Sequence, residues 1–396
     1  AGGPSMGWSG AILVGTVLGV ALLRYVEPVC CLTPTRPPQI LSVLMAVGGV
    51  AGIGWGLGRG KAAWVGQGVS VLLVGLLIGL KTPALAQAAS AGLRVLSGQQ
   101  VDLATPFDVR WVGFSYLAFR LVHVLRDSVA GRLPALPLDE FVLYALFFPA
   151  YTAGPIDRVQ RFVGDLHKPF RVADSLLPAG TRLVIGIFKK FALADGLALM
   201  ALNEVNAGQV LSPGWGWVLL YAYALRIYFD FSGYTDIAVG LGMLAGVKLP
   251  ENFEAPYLKP NLTAFWNSWH MTLAQWFRAY YFNPLTRTLR GRKWPIPAVI
   301  FATQVTTMIL IGLWHGVTWN FLIWGAWHGV GLFVHNRWSE AFRGRYAAWE
   351  VSPRVKAVLN GVGTLFTFHF VTLGWVWFAL GEPGRSWEFL AKLLAF

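Results

Sequence analysis

The sequence predicts an all-α fold: a polytopic bundle of transmembrane helices. Three observations carry this. Hydrophobic residues fill 55% of the 396 positions, and the mean hydropathy is +0.53. Charged residues make up 13%, against about 25% in soluble domains. Those charges sit mostly in short clusters between long apolar runs. A spanning helix needs about 20 mainly apolar residues, and lipid offers no partner to an open sheet edge. A chain of this length accommodates about ten to twelve hydrophobic helices, some short or re-entrant.

Taken in order, residues 8–23 form a first span, and the adjoining CLTPTRPP is a loop, because clustered prolines break a helix. Residues 40–57 and 62–80 are the next two spans, divided by GRGK. Residues 83–96 are rich in small side chains and interrupted by Arg94, which suits a surface or interfacial helix. Residues 110–126 are apolar yet hold Arg120 and His123. Residues 138–151 make a short span ended at Gly154-Pro155, with Asp157 placed to cap the next segment. Residues 181–202 carry Lys189 and Lys190 in mid-run. At a bilayer centre each lysine costs about 2.5–3.5 kcal/mol, so this helix is expected to be tilted, short or shielded by the bundle.

Residues 214–231 and 232–247 read as two helices enclosing RIYFDFSGYTD. Arg226 and Asp230 lie four apart and can neutralise each other on one helical face, while Asp236 has no partner at helical spacing. A structural ion pair and a proton relay are both open readings. Residues 264–282, with aromatics on all sides plus His270 and Arg278, suit a horizontal or re-entrant helix. The loop 286–293 then gathers Arg287, Arg290, Arg292 and Lys293, and is assigned to the cytoplasm. Residues 295–314 and 317–335 form a helical hairpin joined at His315-Gly316, and the basic loop 337–356 comes next on the same side. Residues 357–380 are the last long span and 386–396 a short amphipathic tail.

A net charge of +13 raises the question of nucleic acid, because a basic face is the footprint of phosphate binding. Here the cations stand at the ends of apolar runs, as expected of cytoplasmic loops, and nucleic acid is rejected as a partner. Cys30 and Cys31 are adjacent and give neither a spaced disulfide framework nor a CxxC motif. Residues 1–5, AGGPS, precede Met6 and are taken as an expression remnant, leaving 6–396 as a single membrane domain.

The chemistry concentrates in residues 260–329. FWNSWHMTLAQWFRAYYFNPL and GLWHGVTWNFLIWGAWHG place His270, His315 and His328 among tryptophans, glycines and aliphatics, and residues 255–339 contain no Asp or Glu. A titratable group in so apolar a setting is costly to bury without a partner or a task. His315, between Trp314 and Gly316, can serve as a general base, since a neutral imidazole titrates near working pH; the alternative is a core histidine bonded to a carbonyl. His270 is a second candidate, and His328 reads as structural. A metal is not expected, because HxxxH spacing and nearby carboxylates are missing. No GxSxG marks a nucleophile. The residues alone lead to a membrane enzyme or a proton-coupled transporter with a buried histidine centre.

Those two motifs resemble the membrane-bound O-acyltransferase family, in its bacterial branch that decorates extracellular polymers. FFPAYTAGPIDRVQRF, YFDFSGYTDIAVGLGMLAGVKLPENFEAPYL and WVWF extend the likeness over roughly residues 110–380. The resemblance implies His315 as principal catalytic residue and His270 as the second family histidine, where eukaryotic relatives usually have asparagine. It implies a helical bundle with a central tunnel, lined by Trp266, Trp269, Trp314, Asn267, Asn320 and His328, in the bacterial inner membrane. It implies no bound cofactor, a thioester donor (acetyl-coenzyme A or an acyl carrier protein) that enters past the basic loop, an extracellular polymer acceptor, and a separate periplasmic or extracellular partner acyltransferase. GPIDRVQRF resembles proteins that pass D-alanine to teichoic acids; WVWF resembles alginate-type O-acetyltransferases. Acetyl transfer is the expectation, with D-alanyl transfer as its alternative.

Overall fold

The computed structural model describes residues 8–25, 39–58, 62–109, 111–134, 136–349 and 352–394. The AGGPS segment, both cysteines and CLTPTRPP lie outside them. The helices are α1 (Trp8–Leu22), α2 (Ile40–Gly58), α3 (Ala62–Lys81), α4 (Pro83–Leu96), α5 (Phe114–Val129), α6 (Leu138–Leu146), α7 (Val159–Leu166), α8 (Val172–Ile187), α9 (Asp195–Ala198) and α10 (Glu204–Gln209). They continue with α11 (Pro213–Leu244), α12 (Leu262–Trp266), α13 (Met271–Phe277), α14 (Asn283–Gly291), α15 (Ile296–His315), α16 (Trp319–Ala341), α17 (Arg343–Trp349), α18 (Pro353–Ala379) and α19 (Pro383–Leu394). No strand occurs among the described residues, so the fold is all-α. Among the described residues, three helices are long and apolar enough to cross a membrane, within Trp64–Lys81, Ile296–His315 and Pro353–Ala379; Gly10–Tyr25 and Ile40–Gly52 are shorter apolar stretches.

The N-terminal helices turn large apolar side chains outward: Leu41, Met45, Val71 and Leu72 are all exposed. In water such a surface would drive aggregation; in a bilayer it is the lipid-facing wall. The main core lies further along, where Tyr116, Phe119, Leu220, Phe265, Trp269, Trp324, Val371, Trp375 and Phe389 join α5, α11 to α13, α16, α18 and α19. A smaller cluster of Tyr144, Phe147, Phe162, Val239 and Leu249 seats α6 and α7 against α11.

The departures from the expected elements fall in α11 and in the segment from α12 to α14. The two helices expected over 214–231 and 232–247 are one helix of 32 residues, about 48 Å long, with Pro213 in its first turn and the Ser212 hydroxyl accepting from the Trp215 N–H. Asp230 pairs with Lys190 at 2.6 Å instead of Arg226, and Asp236 binds Lys189 at 2.7 Å and also Arg182. The lysine pair therefore sits in a π-helical turn, Phe188–Ala194, shielded by α11 as the bundle requires. The stretch 264–282 is not one helix: it breaks at Asn267–His270 between α12 and α13 and continues as a second π-helical turn, Arg278–Phe282. Most of the expected loop 286–293 is helical, because α14 runs on to Gly291 and takes in Arg287 and Arg290.

Candidate active site

His315 is the last residue of α15, and α16 returns antiparallel from Trp319. The hairpin closes where the sequence places it, because the Thr318 hydroxyl accepts from the Phe321 N–H and caps the returning helix. The helices approach closely: a side chain at Gly325 would stand 2.5 Å from the Met308 carbonyl oxygen. At Gly316 the room is taken by the Phe321 ring, which a Cβ would meet at 2.7 Å. That glycine serves the hairpin's own packing.

Around the His315 imidazole stand Trp314 (4.7 Å between ring centres), Phe378 (4.9 Å), Trp324 (5.6 Å) and Phe321 (6.0 Å). The ring is held by aromatic faces and by its backbone. His270 lies on the other contact of the same indole, 6.1 Å from Trp314, with Phe231 edge-on at 4.6 Å. Its backbone has φ +43°, a left-handed conformation that non-glycine residues seldom adopt and that recurs at functional sites. His270 Nε2 and Trp314 Nε1 are buried without a hydrogen-bond partner among the described residues. Such groups are costly to leave unpaired, and paired donors and acceptors at a reacting centre are where that cost is recovered.

His315 opens on a cavity of about 640 Å³. Leu77, Leu80 and Lys81 of α3 line it together with Pro106, Phe107, Trp111 and Gly113 of the loop before α5, Phe114 and Ser115 at the start of α5, and Thr152. Gly113 is required there: its φ is +84°, and a Cβ would lie 2.7 Å from the Tyr151 ring. The loop is tied to α4 by Asp108, which accepts from the Ser90 hydroxyl at 2.6 Å, Arg94 Nε at 2.9 Å and the Thr105 hydroxyl at 2.9 Å. Those hydrogen bonds hold the Asp108 carboxyl well below the usual carboxylate range.

The remaining candidates divide. Trp266 meets Trp324 at 5.8 Å and His328 at 5.2 Å; Trp269 meets Trp375 at 5.1 Å; these rings extend one aromatic wall behind His315. His328 belongs to that wall, fully buried, with neither ring nitrogen partnered among the described residues. Asn320 spends its amide on the Leu380 carbonyl and Ser386 Oγ (3.1 Å), tying α16 to α18 and α19. Asn267 is exposed and accepts from Arg278 at 2.7 Å. Neither asparagine lines the cavity, and neither do Trp266, Trp269, Trp314, His270 or His328, which stand behind His315. Arg287, Arg290, Arg292 and Lys293 are all exposed, at the opposite end of α15 from His315, with no carboxylate paired to them among the described residues. No group of three or more metal-ligating side chains occurs among the described residues. Sequence reasoning missed Lys81 and the 106–115 wall, because both come from segments far from the histidine motifs.

A membrane-embedded all-α protein with a histidine held on an aromatic-walled cavity is the class defined so far. The sequence profile of the membrane-bound O-acyltransferase family matches residues 90–380, and the chain belongs to that family. Among its relatives, the "Probable alginate O-acetylase AlgI" of Azotobacter vinelandii is 33% identical over 286 residues, 72% of this chain and 54% of the relative. The teichoic acid D-alanyltransferase of Bacillus subtilis (strain 168) is 33% identical over 287 residues, 69% of this chain and 70% of the relative. The peptidoglycan O-acetyltransferase of Helicobacter pylori is 32% identical over 269 residues, 64% of this chain and 48% of the relative. The chain spans about half the length of the alginate-type relatives it matches.

Proposed function

We propose that this protein is an O-acyltransferase of the bacterial inner membrane that moves an acetyl group from a thioester donor to a hydroxyl of an extracytoplasmic polysaccharide. The observation that carries this reading is His315, set at the hairpin turn on the cavity in a chain of this family. His315 removes the proton from the acceptor hydroxyl, and the oxygen attacks the thioester carbonyl carbon. The tetrahedral adduct collapses with loss of the carbon–sulfur bond, and the thiolate takes the proton back from the imidazolium. His270 orients the acceptor or stabilises the developing oxyanion. The wall of Trp314, Trp266 and Trp269 excludes water that would hydrolyse the thioester. The cavity is then the outer mouth of a central tunnel.

Sidedness follows from charge. The basic residues of α14 and the turn after it, and Arg337, Arg343 and Arg345 toward and beyond the end of α16, flank the hairpin at the ends away from His315. Placed in the cytoplasm, they attract the anionic donor, whether acetyl-coenzyme A or an acyl carrier protein, and leave His315 toward the outer face. The lining supports acetyl as the acyl group: Lys81 is its charged side chain and no carboxylate lines it among the described residues. An uncharged acetyl group suits that wall better than a D-alanyl ammonium. A separate periplasmic or extracellular acyltransferase completes delivery to the polymer.

Sealed, oriented vesicles given labelled acetyl-coenzyme A, acetylated carrier protein or D-alanyl carrier protein on one side at a time test the reading. Label reaching an acceptor from an acetyl donor inside is the expected result. Transfer supported only by donor on the outer face overturns the sidedness, and transfer only from the D-alanyl carrier overturns the acetyl assignment. A proton-coupled transporter would consume no thioester at all.

A further inference from the structure

Lys81 ends α3, a helix that lies before the family-matched segment, yet its side chain reaches the His315 turn. Its ammonium donates to the Trp314 carbonyl oxygen and stands 3.5 Å from that of His315. The same nitrogen sits 4.9 Å from the centre of the Trp314 ring, and Lys81 lines the cavity with His315. Each of these contacts has a physical reason. The last carbonyls of a helix have no partner within it and carry the negative end of the helix dipole, so a cation there is favourable. The electron-rich face of an indole adds a second attraction.

The need for such a clamp is visible at the imidazole. Among the described residues no side-chain hydrogen bond orients the His315 ring, and its contacts are the faces and edges of Trp314, Phe321, Trp324 and Phe378. Rings pack without fixing a donor or acceptor direction. The place of the imidazole on the cavity therefore depends on where the backbone at the end of α15 is held, and Lys81 holds it from a different helix.

We infer that Lys81 is a positioning residue: by clamping the terminal carbonyls of α15 to α3 it fixes His315 at the cavity, so that α3 completes the active site from outside the family-matched segment. This rests on the acyltransferase reading above. Its effect should appear in the chemical step, because a general base displaced by about 1 Å can cost on the order of 100-fold in rate, while the donor's route past the basic α14 is untouched.

The experiment compares Lys81→Met, Lys81→Arg and His315→Ala with the parent in full-length protein in vesicles, reading kcat and KM for the donor beside the thermal unfolding midpoint. Lys81→Met is expected to lose about 10–100-fold in kcat with KM for the donor nearly unchanged. Lys81→Arg, which keeps a cation and donors within reach of the carbonyls, is expected to recover most of the loss. If Lys81→Met does not fold, Lys81→Gln takes its place with the same expectations. Parental kcat without the cation, an equal loss in the arginine variant, or a loss confined to KM each overturns the inference. His315→Ala separates the two claims. If it keeps parental activity, the acyltransferase reading fails; if it is inactive while Lys81→Met is parental, only the clamp fails.

Discussion

Two buried histidine regions of this molecule are built on opposite principles. At His123 both ring nitrogens are spoken for. Its Nε2 accepts from the Val159 N–H at 3.2 Å, which leaves the proton on Nδ1, 2.5 Å from the Tyr280 hydroxyl; that hydroxyl in turn donates to Asp127 at 2.9 Å. The network pins α5 to α7 and to the π-helical turn Arg278–Phe282. Around Trp314 the reverse holds. His270 Nε2 and the indole N–H are buried and unpartnered among the described residues, His315 is held by rings, and the cavity begins beside it. A saturated histidine has no lone pair or proton to lend, whereas an unsaturated one at a cavity can exchange protons with whatever enters. Hydrogen-bond saturation and access together, more than burial, distinguish His123 from His315.

The largest effect expected of this contrast is at His315. His315→Ala should abolish acyl transfer, measured with labelled thioester, while insertion and the unfolding midpoint stay near the parent. Near-parental transfer in the purified variant would remove this histidine from the mechanism. The next is His270→Ala, expected to lose about 10²–10³ in rate, the usual worth of an orienting or oxyanion group. Because the residue has φ +43°, His270→Asn is the cleaner companion: asparagine tolerates the left-handed region and separates the lost ring from a strained backbone. A heavier rate loss for His270→Ala than for His315→Ala, at equal stability, would exchange their roles.

On the saturated side the damage should be to stability. Tyr280→Phe removes the hydroxyl that bridges His123 and Asp127, and leaving buried polar atoms short of a partner costs about 1–3 kcal/mol. The expected outcome is a lower unfolding midpoint with kcat per folded molecule near the parent. A rate loss of the size expected at His270, without destabilisation, would place this network in the chemistry and break the contrast.

Much of this was legible in the sequence, and the failures have a common cause. The hairpin was readable because nothing but two apolar runs and a His-Gly joint occupies 295–335, and α4 was readable from Pro83 onward. The family-level reading stood on motifs over most of the matched segment. The division of α11 at Ser232-Gly233 was wrong because a glycine there signals a turn in one dimension. In three dimensions Gly233 serves a close crossing, where a Cβ would lie 2.8 Å from the Gly186 carbonyl oxygen and the Lys190 nitrogen. The partners of Asp230 and Asp236 were missed likewise, since Lys190 and Lys189 come from 40 and 47 positions away. Lys81 stands 233 positions from Trp314, and no local spacing announces such a clamp.

A smaller effect is expected at the far end of α15. Replacing Arg287, Arg290, Arg292 and Lys293 by glutamine should raise KM for an anionic donor severalfold and flatten its dependence on salt, leaving kcat alone, because exposed charges act by attraction and are screened at physiological ionic strength. A fall in kcat with an unchanged salt dependence would mean that this end of the hairpin does more than attract the donor.

The smallest effect is the sharpest test of the contrast, and it is at His328. Like His270 it is buried with unpartnered nitrogens, both of them in this case, and neither of the two lines the cavity; Trp324, Trp266 and Phe370 enclose His328 at 5.0, 5.2 and 5.8 Å, and Gly374 packs against its Nε2. If lack of partners alone marked a reactive group, His328 would be catalytic. If the left-handed backbone of His270, which the helical His328 lacks, marks the difference, His328 is a wall residue whose ring matters for its shape. His328→Leu removes the polar atoms at roughly conserved volume, and such exchanges usually change stability by less than about 1.5 kcal/mol. The expected result is a small change in unfolding midpoint and a rate within a few-fold of the parent. A loss of about 100-fold in kcat at parental stability, comparable with His270→Ala, would show that protons reach His328 through the aromatic wall and that the reactive region extends behind Trp324.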